Sequence, residues 1–227
     1  MREPKPARII PADDLAADRE RALALTPVSR ETMERLDRFV PLLLAWQRRT
    51  NLIADSTLAH LWTRHVADSL QLLSLAPAAR AWIDIGPGAG FPGLVIACAL
   101  AETPGAIVHL VESNAKKAAF LREAQRLTES PAMVHTERME RFAPRFGGRV
   151  DVVCARAVAP LKSLLELSFP LLERTDAVAL FLKGQSAELE LSEARHAWSM
   201  GATLVASRTD SAGRVVLVRH VERLSHK

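Results

Sequence analysis

The sequence predicts an α/β fold in which a mainly parallel sheet ends in a C-terminal antiparallel hairpin and is preceded by an N-terminal helical cap. Three observations predict it. After Pro77, short apolar runs alternate with helical patterns, the arrangement that βαβ units and a parallel sheet produce. The last two runs are separated by the short turn Asp210-Ser211-Ala212-Gly213, which pairs neighbours antiparallel. Before Pro77 the apolar residues recur at spacings of three and four.

Taken in order, residues 1–12 are polar and proline-bearing and read as a mobile arm. A short helix is predicted from Asp13 to Ala24. Thr26 then reads as an N-cap with Pro27 in the first turn of a helix whose apolar positions are Met33, Leu36, Val40, Leu43 and Leu44. A further helix from Ala59 to Leu75 puts Leu61, Trp62, Val66, Leu70 and Leu73 on one face, so residues 13–76 form the cap. In residues 77–227 strands are predicted at Ala81–Ile85, Ile107–Val111, Met133–His135, Val150–Ala155, Ala177–Leu182, Ala202–Ser207 and Val215–Val221. Helices are predicted at Pro92–Ala101, Asn114–Thr128, Leu161–Leu172 and Ser186–Met200.

The chain has 227 residues, 48% hydrophobic and 25% charged, which is globular composition and excludes collagen-like, coiled-coil and disordered classes for its bulk. No stretch approaches the roughly 20 apolar residues of a membrane helix. Met1–Pro11 has no apolar h-region, so a cytoplasmic location is expected. Cys98 and Cys154 lie in separate apolar runs, which excludes a disulfide framework and a cysteine-based zinc pattern. The net charge of +4 comes with 30 Lys+Arg, of which 24 are Arg and 6 Lys, a composition suited to bidentate phosphate contacts. Tyr is absent, which disfavours an RNA-recognition motif with an aromatic sheet face.

The strongest chemical signal is the run from Ala81 to Gly93, in which an apolar strand enters a loop with Gly86, Gly88 and Gly90 and a helix opens at Pro92. Glycines let the backbone turn tightly and approach a ligand without a Cβ between them. Gly88 to Gly93 formally matches the G-x-G-x-x-G fingerprint of dinucleotide sites, but its first glycine does not follow the strand directly. Asp84-x-Gly86-x-Gly88-x-Gly90 fits an S-adenosylmethionine loop better, with Asp84 organising the loop and facing the methionine ammonium. Glu112, at the end of the second strand, is placed to accept hydrogen bonds from ribose hydroxyls in either cofactor.

Asp84 to Gly93, Val111 to Arg122, Cys154-Ala155-Arg156-Ala157, Lys183-Gly184, Asn51-Leu52 and Arg64 to Leu70 together resemble the bacterial small-subunit (16S) ribosomal RNA guanine-N7 methyltransferase family, also called glucose-inhibited division protein B. The resemblance runs in order from about residue 26 to 221. It implies a class I S-adenosylmethionine-dependent methyltransferase (Rossmann-like) fold. The implied reaction is methyl transfer to N7 of one guanine, position 527, in the 530 loop of small-subunit rRNA. Position by position, it puts cofactor contacts on Gly86 and Phe91, on Met139 and Glu140 after the third strand, and on Arg156 after the fourth. Glu112 stands where family members often have Asp, and Met139 where they often have a β-branched residue. Met139 is expected to offer a backbone N–H or an apolar contact to adenine, and Glu140 to accept from its amine.

Guanine N7 presents a free in-plane lone pair, so alignment is the main requirement and no general acid or base is nominated. Cys154 has no activating neighbour in the sequence and reads as inert. Binding a guanine of structured RNA calls for cationic and stacking contacts around the pocket. Arg64, His65, Lys116, Lys117, Arg122 and Lys183 are the candidates, with a structural histidine as the alternative for His65. A small-molecule methyltransferase and, further off, an NAD-dependent oxidoreductase are the competing readings. The expected partner is 16S rRNA or the small ribosomal subunit, and the expected state is a monomer.

Overall fold

The computed structural model describes residues 11–224; the predicted arm therefore lies, through residue 10, outside the described residues. Seven strands form one sheet: β1 (Ala81–Ile85), β2 (Ile107–Val111), β3 (Ala132–His135), β4 (Val152–Arg156), β5 (Val178–Lys183), β6 (Trp198–Ala206) and β7 (Arg214–Arg223). Their order is β3-β2-β1-β4-β5-β7-β6. The first five run parallel, while β7 pairs antiparallel with both β5 and β6. All five residues of β1 are buried, because helices cover both faces. The same covering explains why the parallel strands read as continuous apolar runs.

Two apolar layers result. Trp82, Val108, Leu110, Val152 and Cys154 face one side, with α4 (Gly93–Ala99) and α5 (Ala115–Thr128). Ile83, Val111, Val153, Ala179 and Phe181 face the other, with α6 (Met139–Arg145), α7 (Leu161–Leu172) and α8 (Ala187–Ala194). The cap consists of α1 (Ala12–Leu25), α2 (Arg30–Gln47) and an irregular run that includes α3 (Asp68–Leu70). It joins the first layer: Leu36, Phe39, Val40 and Leu43 are buried in one cluster with Trp82, Leu94 and Phe120. Burying each such side chain contributes about 1.5–3 kcal/mol. Trp46 packs edge-on against Phe120 at 5.6 Å, and its indole N–H donates to Glu123.

The structure corrects several expected boundaries. Ser29, not Thr26, caps α2 by accepting from the Thr32 N–H at 3.1 Å. Thr26 ends α1 instead, its hydroxyl donating to the Ala22 carbonyl, since the chain needs the intervening residues to reverse. The single helix expected from Ala59 to Leu75 is a succession of turns: 3₁₀ at Asp55–His60, π at Trp62–Ala67, α3, and 3₁₀ at Gln71–Leu75. The buried Asp18 carboxylate accepts from the Trp62 and Thr63 N–H groups, and the wide π turn lets His65, Val66 and Ala67 all face inward. The helix expected to reach Met200 stops at Ala194, because from Trp198 burial alternates with a period of two and the chain becomes β6. The seven-residue α6, missing from the sequence-based assignment, buries Met139, Phe142 and Ala143 at helical spacing.

Register brings the chemistry-bearing residues to one edge. Ile85 is level with Val111 and with Ala155, so Gly86, Glu112 and Arg156 leave the carboxyl ends of adjacent strands together. The chain direction across the sheet reverses at β1/β4, where open α/β sheets form their ligand crevice.

Candidate active site

The loop after β1 is held at both ends. Gly86, Gly88 and Gly90 have φ of 63°, 55° and 92°, the left-handed region that favours glycine. The Gly88 N–H donates to Glu112 Oε2 at 3.1 Å, and the Gly93 N–H to Asp84 Oδ2 at 2.6 Å. A Cβ on Gly93 would lie 2.5 Å from Leu110 and 2.7 Å from Asp84, so only glycine lets α4 start this close to the sheet. Over Gly88 the space is open: a Cβ there would meet nothing nearer than the Lys117 Nζ at 3.8 Å. These features make a cradle whose outer side can receive a nucleoside with a charged tail.

Asp84 organises this loop from beneath and does not face a ligand. It is wholly buried on the cap side of β1, and Oδ1 has no hydrogen-bond partner. A direct contact with the methionine ammonium, expected from the sequence, is closed to it in this geometry because α4 and the cap cover its side of the strand. Burial pushes its carboxyl up to about 8, with the Gly93 N–H opposing and the Glu112 charge adding. Glu112 is the acid at the crevice: besides Gly88, its Oε1 accepts from the Asn114 N–H at 2.7 Å, and each oxygen retains a lone pair. Asn114 caps α5 by accepting from the Lys116 and Lys117 N–H groups. The Lys116 side chain is exposed, Lys117 is half-buried, and the exposed Arg122 donates to Thr136.

Other predicted residues lie where their side chains are already committed. Phe91 packs against His65 at 4.8 Å and Phe39 at 5.7 Å, which leaves its backbone for a ligand. Met139 is buried in the second layer, so the apolar contact expected of it is unavailable and its backbone remains; Glu140 beside it is exposed. The Lys183 ammonium donates to the Ala159 carbonyl and sits 2.7 Å from the Glu190 carboxylate. With its side chain 8% exposed, it corrects the expectation of an RNA contact: this lysine fastens β5 to α8 and to the β4–α7 loop.

Arg156 and His65 form a unit that the sequence reading did not foresee. An arginine only donates, so the 2.8 Å contact between Arg156 and His65 Nδ1 makes that nitrogen the acceptor. The ring proton therefore sits on Nε2, facing Thr57 Oγ1 at 2.9 Å. Burial, then the charges of Arg156 and Arg64, push the His65 pKa down to about 3, so the ring is neutral and cannot offer a charge to RNA. The Arg156 Nε is 3.4 Å from Asp68, which also accepts from Gln71 and Thr209. Arg64, on the same turn, pairs with Asp210 of the β6–β7 turn. Arg64, Asp68, Arg156 and Asp210 line a cleft of about 290 Å³ at the carboxyl ends of β4 and β5, together with Lys183, Glu190 and Arg214. Thr57 carries no local signal, Asp68 stands in the Arg64–Leu70 segment without a role of its own, and Asp210 reads only as a turn residue. Cys154 is fully buried and its thiol pushed well above the usual range, as an inert core residue would be.

Comparison with known proteins agrees with this geometry. The O-methyltransferase from Bacillus cereus, solved in complex with SAH, superposes with a TM-score of 0.57 at 15% identity, over 92% of this chain and 99% of that one, a likeness of fold. The ribosomal RNA small subunit methyltransferase G of Bradyrhizobium sp. strain BTAi1 is 56% identical over 215 residues, 95% of this chain and 96% of that protein. The protein of the same name from Rhodopseudomonas palustris strain BisB18 is 55% identical over 93% of this chain and 90% of its own length. The family pattern described as GidB, rRNA small subunit methyltransferase G, matches residues 32–216. A glycine cradle at the switch point of a class I methyltransferase sheet thus coincides with sequence identity along nearly the whole chain, and this chain belongs to the GidB family, rRNA small subunit methyltransferase G.

Proposed function

We propose that this protein transfers the methyl group of S-adenosylmethionine to N7 of a guanine in the 530 loop of small-subunit ribosomal RNA. The observation that carries the reading is the open glycine cradle tied to Glu112 at the β1/β4 crevice, directly beside a cleft rich in arginine. Family membership supplies the acceptor; the same cradle would equally serve a small-molecule methyltransferase.

When bound, S-adenosylmethionine supplies an electrophilic methyl group on a sulfonium. The backbone of Gly86, Gly88, Gly90 and Phe91 forms the floor of its site, with Asp84 fixing the loop from below. Glu112 keeps lone pairs for ribose hydroxyls. The Met139 N–H and the Glu140 carboxylate stand at the start of α6 for adenine. Arg156 closes the β4 side, held by His65 and Asp68. Lys116 and Lys117, with Arg64 beside Asp210 and Arg122 beside Thr136, are the cations offered to phosphates around the crevice. Guanine N7 brings its own lone pair, so these residues act by alignment. The neutral, inward-facing His65 and the buried Asp84 are not placed to take a proton from an acceptor.

The partner is small-subunit rRNA or a particle containing it, met by a monomer. No helix among the described residues is long and apolar enough to cross a membrane, and we place the reaction in the cytoplasm. Labelled S-adenosylmethionine, incubated with small-subunit particles and with protein-free rRNA from a strain lacking this protein, tests the reading. Label mapped to 7-methylguanine at one 530-loop position is the expected result. No incorporation into either substrate, with cofactor binding intact, would shift the assignment to a small-molecule acceptor.

A further inference from the structure

Among the ion pairs of the 290 Å³ cleft, one differs from the rest. Asp68 and Glu190 are held from several sides: Asp68 accepts from Gln71 and Thr209 and pairs with Arg156, and Glu190 accepts from Ser186, the Leu161 N–H and Lys183. Their side chains are 15% and 18% exposed. The Arg64–Asp210 pair is open to solvent, with side chains 43% and 29% exposed, and a pair so placed contributes little to stability. It can therefore be exchanged for contacts with a ligand at little cost. Asp210 stays oriented meanwhile, because its Oδ1 accepts from the Ala212 N–H and its carbonyl from the Gly213 N–H.

The cleft also adjoins the cofactor cradle. Ala157, with φ of 50°, lines the cleft, and the next residue, Val158, has its side chain 3.1 Å from where a Cβ on Gly86 would lie. The cleft and the glycine loop are thus neighbours, bordering the same two residues of the loop after β4. Guanine attacking through N7 must be gripped by another edge. Its N1–H and N2–H₂ form a row of donors that matches a carboxylate, and adenine lacks this row.

We infer that the cleft is the acceptor-nucleotide pocket and that Asp210 leaves Arg64 to accept from the N1–H and N2–H₂ edge of the guanine, while Arg64 takes the adjoining phosphate. This rests on the guanine reading above and adds the residue that selects the base. It also adds a rate effect. Attack by N7 forms the N7–methyl bond as the sulfur–methyl bond breaks, and the bonding electrons leave on sulfur. The purine becomes cationic, so N1–H and N2–H₂ become stronger donors as the reaction proceeds. A carboxylate accepting from them binds the transition state more tightly than the ground state, which raises kcat.

The test uses small-subunit rRNA ligated to carry guanine or inosine at the target position, in whichever free or particle form the wild-type protein methylates. Inosine lacks N2–H₂ and keeps N7. The wild type should prefer guanine by about tenfold, the loss of one of two hydrogen bonds to a charged acceptor. In Asp210→Asn, which keeps the turn acceptor, kcat on guanine should fall about tenfold and the guanine-to-inosine ratio should approach one. Arg64→Ala should raise KM and lower the salt slope by about one, leaving that ratio as in the wild type. Calorimetric binding of S-adenosylhomocysteine reports whether each variant is folded. A guanine preference retained in Asp210→Asn, or no guanine preference in the wild type, overturns the inference while the function stands. No methylation of the guanine RNA by the wild type overturns the function itself.

Discussion

Two glycines of the loop should separate stability from ligand binding when each is changed to alanine. At Gly93 the added Cβ would come within 2.5 Å of Leu110 and 2.7 Å of Asp84, both on buried strands that cannot retreat. It would also press on the 2.6 Å hydrogen bond from the Gly93 N–H to Asp84. Overpacking of this kind costs about 1–3 kcal/mol, and the crowding by two strands argues for the upper end. For a domain of this size 1 kcal/mol moves Tm by about 2–4 °C, so Gly93→Ala should melt about 6–12 °C lower. At Gly88 the nearest atom to a Cβ is 3.8 Å away, and the cost is the left-handed φ of 55° alone. That costs about 1 kcal/mol, or about 2–4 °C. The Cβ of Gly88→Ala would instead stand on the open side of the cradle and should weaken S-adenosylhomocysteine binding at least about tenfold, or about 1.4 kcal/mol. Differential scanning fluorimetry with and without ligand reads both quantities. A Gly93→Ala protein melting within a degree of wild type would contradict the packing, and wild-type affinity in Gly88→Ala would remove the cradle from the ligand site.

Lys183→Met leaves the Glu190 carboxylate without its cation and should lower Tm by several degrees while RNA affinity in a filter-binding assay is unchanged; reduced affinity at unchanged Tm would return Lys183 to the RNA surface. His65 and His109 have pKa values pushed down to about 3 and about 4, mainly by burial, against 6.5 when free. The unfolded chain binds more protons between those limits, so their stabilisation is complete above pH 6.5 and is lost as pH falls toward 4. Urea midpoints at pH 7 and 5 should drop less in His109→Gln than in wild type, and equal drops would refute this. Asp84 acts with the opposite sign: its carboxyl, raised to about 8 from 3.8, makes stability fall as pH rises from 4 to 8. Asp84→Asn should flatten that limb, and an unchanged slope would mean the carboxyl is ionised throughout.

The parallel strands were legible because strands buried on both faces must be apolar throughout, and β1, β2 and α7 begin and end where the sequence places them. The glycine loop was legible because three left-handed positions leave no alternative to glycine. What side chains do at the edge was harder to read. The carboxylate of Asp84 is turned under the loop by α4, and the ammonium of Lys183 is taken by Ala159 and Glu190, both set by how α7 and α8 dock. Local spacing contains neither fact. The apolar residues after Ser186 fit either period, and it is the hairpin partner that draws Met200 into a strand.

The cap boundary near residue 77 is a boundary of sequence pattern, and the core runs straight across it. Phe39 touches Phe91 of the loop, His65 touches Phe91 and holds Arg156, and Asp68 holds Arg156 and the Thr209 hydroxyl. A chain beginning at residue 77 would uncover Phe91 and Phe120, both buried against Phe39, and would leave Arg156 without either partner. The cap is therefore part of the foundation of the crevice at the strand ends. Arg64, proposed above as an RNA contact, is adjacent to His65, which touches Phe91 and Arg156. On that proposal, acceptor RNA should change S-adenosylhomocysteine affinity, and by reciprocity by the same factor as the converse; calorimetry with and without the guanine RNA measures it, and equal affinities would refute the coupling.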